Sequence, residues 1–164
     1  MKVIAFAILS LVSSHLHASC NDQLINNVKY SDQFTVSYIL TSQSQSPQYV
    51  LILMPGGAGA LNPYINNEGK FQFGFAGNFL IRSRNQFCDS QFTIAPTNST
   101  ESPERMGALI NDLQTRYPSA KICMVGTSRS TYSTMGLAKK FDCKIDCIIH
   151  TASMLGHCLR TAPG

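Results

Sequence analysis

The stretch Val125-Gly126-Thr127-Ser128-Arg129-Ser130-Thr131 decides how the chain is read. An apolar run from Lys121 to Val125 leads into it, and a helical pattern from Thr131 to Phe141 follows. Strand, tight turn with a serine at the apex, then helix is the order in which a sheet presents a nucleophilic hydroxyl. The turn needs small residues beside the serine, because the backbone bends sharply and the next helix packs close. Gly126 meets that need. At the second small position Ser130 stands in place of glycine, giving G-x-S-x-S. Serines in strand-to-helix turns are common, so the motif takes its meaning from the rest of the chain.

Upstream, Phe34 to Leu40 is rich in aromatic and β-branched residues, and Tyr49 to Met54 (YVLILM) is continuously apolar, the pattern of a buried strand. Pro55-Gly56-Gly57-Ala58-Gly59 comes directly after it. Glycines at the exit of a central strand let a backbone approach a ligand and turn N–H groups toward it. Ala60 to Ala76 has no clear period and reads as a long loop. Gly77-Asn78 caps a helix over Phe79 to Phe87, with Arg82 and Arg84 on its polar side as solvated or locally paired residues. Gln91 to Ala95 is a short strand. Ser102-Pro103-Glu104 is a helix start, and Met106, Leu109, Ile110, Leu113 and Tyr117 follow at helical spacing until Pro118. Ile145 to Thr151 is the last strand. This alternation predicts an α/β fold, a mostly parallel sheet flanked by helices. It also sets the glycine loop and the serine turn at the same end of the sheet, a nucleophile beside donors for a developing oxyanion.

The chain has 164 residues, a net charge of +4 and only 13% charged residues, with the basic ones scattered. That is one domain, and no nucleic-acid partner is expected. Met1-Lys2, the apolar Val3 to Val12 and the small polar Ser13 to Ala18 read as a signal peptide cleaved after Ala18. Residues 19–164 are then a single exported domain, periplasmic or secreted, with no membrane span. Six cysteines, Cys20, Cys88, Cys123, Cys143, Cys147 and Cys158, make disulfides expected in such a chain, with the pairing open. Cys123, inside the apolar strand, reads as a buried thiol. Cys143, Cys147, His150, His157 and Cys158 are crowded potential ligands, but their spacing fits no zinc pattern, and Cys147 and His150 fall on opposite faces of one strand. No metal and no cofactor is expected. Asn98-Ser99-Thr100 is a glycosylation sequon, meaningful only in a eukaryotic host.

The pieces PGGAGALN, GNFLIRSRNQF and MVGTSRSTYS, in that order, resemble a bacterial α/β-hydrolase-fold group with a PGG-type oxyanion loop, a GNFL-x-RSR helix and a VGTSRG elbow. The resemblance runs from about Tyr49 to Met154. It implies Ser128 as nucleophile, and an oxyanion hole made by the N–H of Arg129 with that of Gly57 or Ala58. It also implies hydrolysis of a small-molecule, ester-like substrate. In that fold the catalytic acid and histidine follow the serine on loops after later strands. Here the acids after Ser128 are Asp142 and Asp146, which flank the start of the final strand, at the sheet's opposite end. The histidines are His150, which reads first as structural and second as the base, and His157. The expectation is therefore the N-terminal part of a serine hydrolase, C-terminally truncated, whose open last strand invites self-association. The alternatives are a non-catalytic exported remnant or binding module of the same fold, and a disulfide-stabilised exported protein.

Overall fold

The computed structural model describes residues 19–74 and 77–152, so residues 1–18, expected to be a signal peptide, and His157 and Cys158 lie outside the described residues. The elements run β1 (Asn21–Lys29), β2 (Thr35–Ser42), β3 (Tyr49–Met54), β4 (Pro63–Ile65), β5 (Phe71–Phe73), α1 (Phe79–Arg82) and α2 (Arg84–Phe87). They continue β6 (Phe92–Pro96), α3 (Pro103–Arg116), β7 (Lys121–Thr127), α4 (Ser130–Lys140) and β8 (Cys147–Thr151). Six strands form one sheet in the order β1-β2-β6-β3-β7-β8. β6, β3, β7 and β8 are mutually parallel, whereas β1 and β2 run antiparallel at one side.

β3 lies at the centre, and its sequence says why. Val50, Ile52 and Met54 enter the core under α3 and α4, while Leu51 and Leu53 enter a second core with Leu80 and Ile81 of α1. Strict alternation between two apolar faces is what a strand covered by helices on both sides requires. α3 starts as expected: Ser102 Oγ accepts the Arg105 N–H at 3.2 Å, and Met106, Leu109, Ile110 and Leu113 are buried. α4 differs in kind. It buries Ser130, Thr131, Ser133 and Thr134 together with Leu137, so it lies against the sheet on small hydroxyl side chains.

Several expectations are corrected. β1 was not anticipated: Asn21–Lys29 is polar and buries only Ile25 fully, so its apolar alternation is faint. Antiparallel pairing with β2 and a disulfide from Cys20 to Cys88 fasten its start. The long loop contains a small hairpin, β4 with β5. The helix expected over Phe79 to Phe87 is two short turns that break at Ser83. Arg84 is not solvated, and its local bond to the Ile81 carbonyl at 3.3 Å is not its main contact. Its guanidinium meets the Asp22 carboxylate at 2.5 Å and lies over the Phe73 ring, tying α2 to β1 and β5. Cys123 is not a thiol. It is bonded to Cys147, its in-register partner on β8, because neighbouring parallel strands bring paired side chains together on one face. Among the described residues Cys143 is free and exposed.

Candidate active site

Ser128 leaves β7 with φ at 51°, in the left-handed region. A residue with a Cβ pays roughly 1–2 kcal/mol there, so its neighbours must hold it. Three hydrogen bonds do so. The Thr131 N–H and Oγ1 donate to the Ser128 carbonyl at 3.0 and 2.7 Å, and the Ser128 N–H donates to the Thr151 carbonyl at 3.2 Å. Close packing closes the remaining space. A Cβ on Gly126 would stand 2.8 Å from the Ser130 carbonyl oxygen and 2.9 Å from Thr134 Cγ2. One on Gly56 would stand 2.9 Å from the Thr127 carbonyl oxygen and 3.0 Å from Ser128 Cβ. Gly126 therefore admits α4, and Gly56 admits the elbow to the loop after β3.

That loop turns on glycines that need their freedom. Gly57 and Gly59 have φ at 66° and 69°, and the Gly59 N–H closes a turn onto the Gly56 carbonyl at 3.2 Å. Gly57 and Ala58 are exposed, and among the described residues neither of their N–H groups has a hydrogen-bond partner. The Arg129 N–H, at the start of α4, is likewise unpartnered. An open cleft of about 380 Å³ lies between loop and helix, with Gly57, Ala58, Arg129, Ser130 and Ser133 in its wall. Ser128 is half-buried and its Oγ makes no hydrogen bond among the described residues.

Four contributors were not recognised in the sequence. Ser130, at the position glycine was expected to hold, is buried and donates its hydroxyl to the Pro55 carbonyl. Ser99, after β6, bonds that same carbonyl at 2.5 Å, touches Ser130 Oγ, and donates its N–H to the Gly59 carbonyl at 2.8 Å. Asn98 Oδ1 accepts the N–H groups of Leu61 and Asn62 at 2.7 and 2.9 Å, and its Nδ2 donates to Asn62 Oδ1 at 3.2 Å. The sequon amide is thus committed to the far end of the glycine loop. Ser133, one turn into α4, is 8% exposed, and its hydroxyl has no partner among the described residues. The available signal was place: Thr97 to Thr100 leave β6 at the end of the sheet where β3 and β7 also exit.

The titratable candidates are placed less favourably. Asp146 Oδ2 accepts the Ile122 N–H at 2.8 Å, at the opposite end of β7 from Ser128, and Asp142 is exposed. His150 pairs in register with Gly126, and its Nε2 lies 2.7 Å from Thr134 Oγ1. Thr134 Oγ1 also stands 2.9 Å from the Thr131 carbonyl, and the imidazole tautomer decides which partner donates in the contact with Nε2.

No family model matches the chain, and no curated protein matches it in sequence. Solved structures do match in shape. A thermostable carboxyl esterase from Bacillus coagulans aligns with a TM-score of 0.53 at 13% identity, over 79% of this chain and 43% of the esterase. A lidless α/β serine hydrolase from Xanthomonas campestris gives 0.51 at 9%, over 85% and 63%. A dipeptidyl aminopeptidase IV candidate from Bacteroides ovatus gives 0.57 at 10%, over 84% and 22%. The chain has an α/β-hydrolase fold. It spans less than two thirds of the length of each of these neighbours.

Proposed function

We propose that the chain is built for serine-dependent acyl-ester hydrolysis, with Ser128 as the nucleophile. Support comes chiefly from one observation, the left-handed serine between β7 and α4 pressed against a loop of unpartnered N–H groups. Ser128 Oγ attacks the carbonyl carbon of a small ester and its proton passes to a base. The former carbonyl oxygen takes the negative charge and accepts hydrogen bonds from the N–H of Arg129 and that of Gly57 or Ala58. Collapse expels the alcohol and leaves an acyl-serine, which water then releases. A single donor of this kind contributes about 100-fold or more to turnover. Without a base a serine hydroxyl is a weak nucleophile. His150 fills that role in this scheme, and to do so its Nε2 must exchange Thr134 for Ser128.

A second reading, a binding module of the same fold, is favoured by that same Thr134 contact. Hydrolysis of p-nitrophenyl acetate by the oxidised chain, beside Ser128→Ala, separates the two. The hydrolase reading expects activity that disappears in the variant; equal rates favour the binding module.

Two disulfides are the mark of an oxidising environment, and among the described residues no helix is long and apolar enough to cross a membrane. We infer export through the segment 1–18, testable by N-terminal sequencing of the secreted form, with Ser19 expected first. The outer edge of β8, where Ile148 and Ile149 are each about 40% exposed, supports self-association. Ile149→Lys is expected to lower the sedimentation coefficient if that edge joins two copies.

A further inference from the structure

We infer that the cleft beside Arg105 binds a small organic carboxylate, at a site separate from the serine elbow. Two arginines among the described residues are half-buried, Arg84 and Arg105, and they differ in their partners. Arg84 meets the Asp22 carboxylate, whereas Arg105 forms no ion pair among the described residues. The segments outside that description contain no Asp or Glu side chain that could serve it. Burial removes part of its water and pushes the guanidinium below the ordinary arginine value, while the Tyr30 phenol nearby acts the other way. A cation drawn partly out of water without a counter-charge leaves a place for an anion.

The surroundings suit that anion. The cleft measures about 540 Å³, lies open to solvent, and has Tyr30, Thr35, Ser37 and Tyr64 in its wall beside Arg105. Each of those four hydroxyls can donate to a carboxylate oxygen, and a planar guanidinium can bond both oxygens at once. Among the described residues no acid stands in the wall to repel the ligand. A carboxylate fits better than a phosphate, because Arg105 is the one cation in that wall. The start of α3 adds little: Pro103 has no N–H, and the Arg105 N–H is given to Ser102 Oγ. Tyr30, Pro63 and Tyr64 offer apolar surface for the body of the acid. The cleft shares no lining residue with the one between the glycine loop and α4, so binding here does not depend on Ser128.

The probe is benzoate, with benzamide as its neutral counterpart of the same shape and inorganic phosphate as the competing anion. Each is titrated into oxidised, ¹⁵N-labelled chain at one ionic strength. The Arg105 side-chain Nε–H and the amides of Tyr30, Ser37 and Tyr64 are followed. Saturable shifts at these groups are expected, with benzoate bound about tenfold more tightly than benzamide, the worth of a charge-assisted pair. Arg105→Gln should remove that difference. Arg105→Lys keeps the charge and the stem but loses the fork, and it should weaken benzoate binding severalfold even if the glutamine variant does not fold. Equal binding of benzoate and benzamide, or tighter binding of phosphate, overturns the proposal. So does a titration with no saturable shift at these groups, or benzoate binding that neither substitution changes.

Discussion

β7 and β8 lie side by side, paired in register as far as Thr127 with Thr151, and each ends in a left-handed residue with a side chain. Ser128 has φ at 51° and Ala152 has φ at 49°. Among the described residues their surroundings have little in common. At the β7 exit the strained residue is bonded by Thr131, overlain by Gly56 and reached by α4 across Gly126. Ser130 and Ser99 also join the neighbouring glycine loop there through the Pro55 carbonyl. At the β8 exit Ala152 is exposed, and the Thr151 hydroxyl beside it is buried without a partner among the described residues. Strain survives where packing over-determines it, and that is the environment a reactive serine needs. Unpartnered N–H groups stand at one exit, while the histidine on the other strand is occupied by Thr134.

The largest effect should come from the bond between the strands. Cys123 and Cys147 close a loop of 24 residues, and replacing both with alanine should cost about 3 kcal/mol in urea unfolding. If the elbow is held from β3, β6 and α4, Ser128 keeps its reactivity in that variant. His150 and the Thr151 carbonyl remain on β8 in that variant, so loss of reactivity in folded protein would show that the disulfide itself positions them. Next comes Gly126→Ala, whose Cβ meets the Ser130 backbone as well as Thr134 Cγ2. It should lower stability by about 2 kcal/mol and suppress Ser128 reactivity as well.

Ser130→Ala is smaller. It removes a buried donor to the Pro55 carbonyl, which Ser99 still satisfies, and should cost about 1.5 kcal/mol by thermal unfolding. The smallest pair is the sharpest. Ser128→Gly and Ala152→Gly each relieve one left-handed residue and should each raise stability by about 1 kcal/mol. Reactivity disappears only in the first. Equal destabilisation by both would break the claim that the two exits carry strain.

The sequence made the central part of this legible. β3 matched its predicted limits, because an unbroken apolar run has few other uses, and α3 declared itself through Ser102, Pro103 and its apolar spacing. The glycine loop and the serine turn were also readable, since glycines and an apical serine at strand exits have a local steric cause. β1 was hidden because a polar edge strand borrows its order from β2 and a disulfide. The pairing of Cys123 was hidden because strand adjacency is a long-range fact. Ser130 read as a departure from glycine, because only the fold brings the Pro55 carbonyl to its hydroxyl. The Thr134 partner of His150 was hidden for the same reason: β8 and α4 meet only in three dimensions.

Covalent labelling bears most directly on the claim that Ser128 is a strained, donor-facing nucleophile. The oxidised chain is incubated with an aryl fluorophosphonate and digested, and the modified peptide is mapped by mass spectrometry beside Ser128→Ala. The account predicts a single adduct on Ser128, absent in the variant and abolished by prior unfolding. No adduct on the folded chain, or adducts spread over Ser99, Ser130 and Ser133 as readily as Ser128, would contradict it.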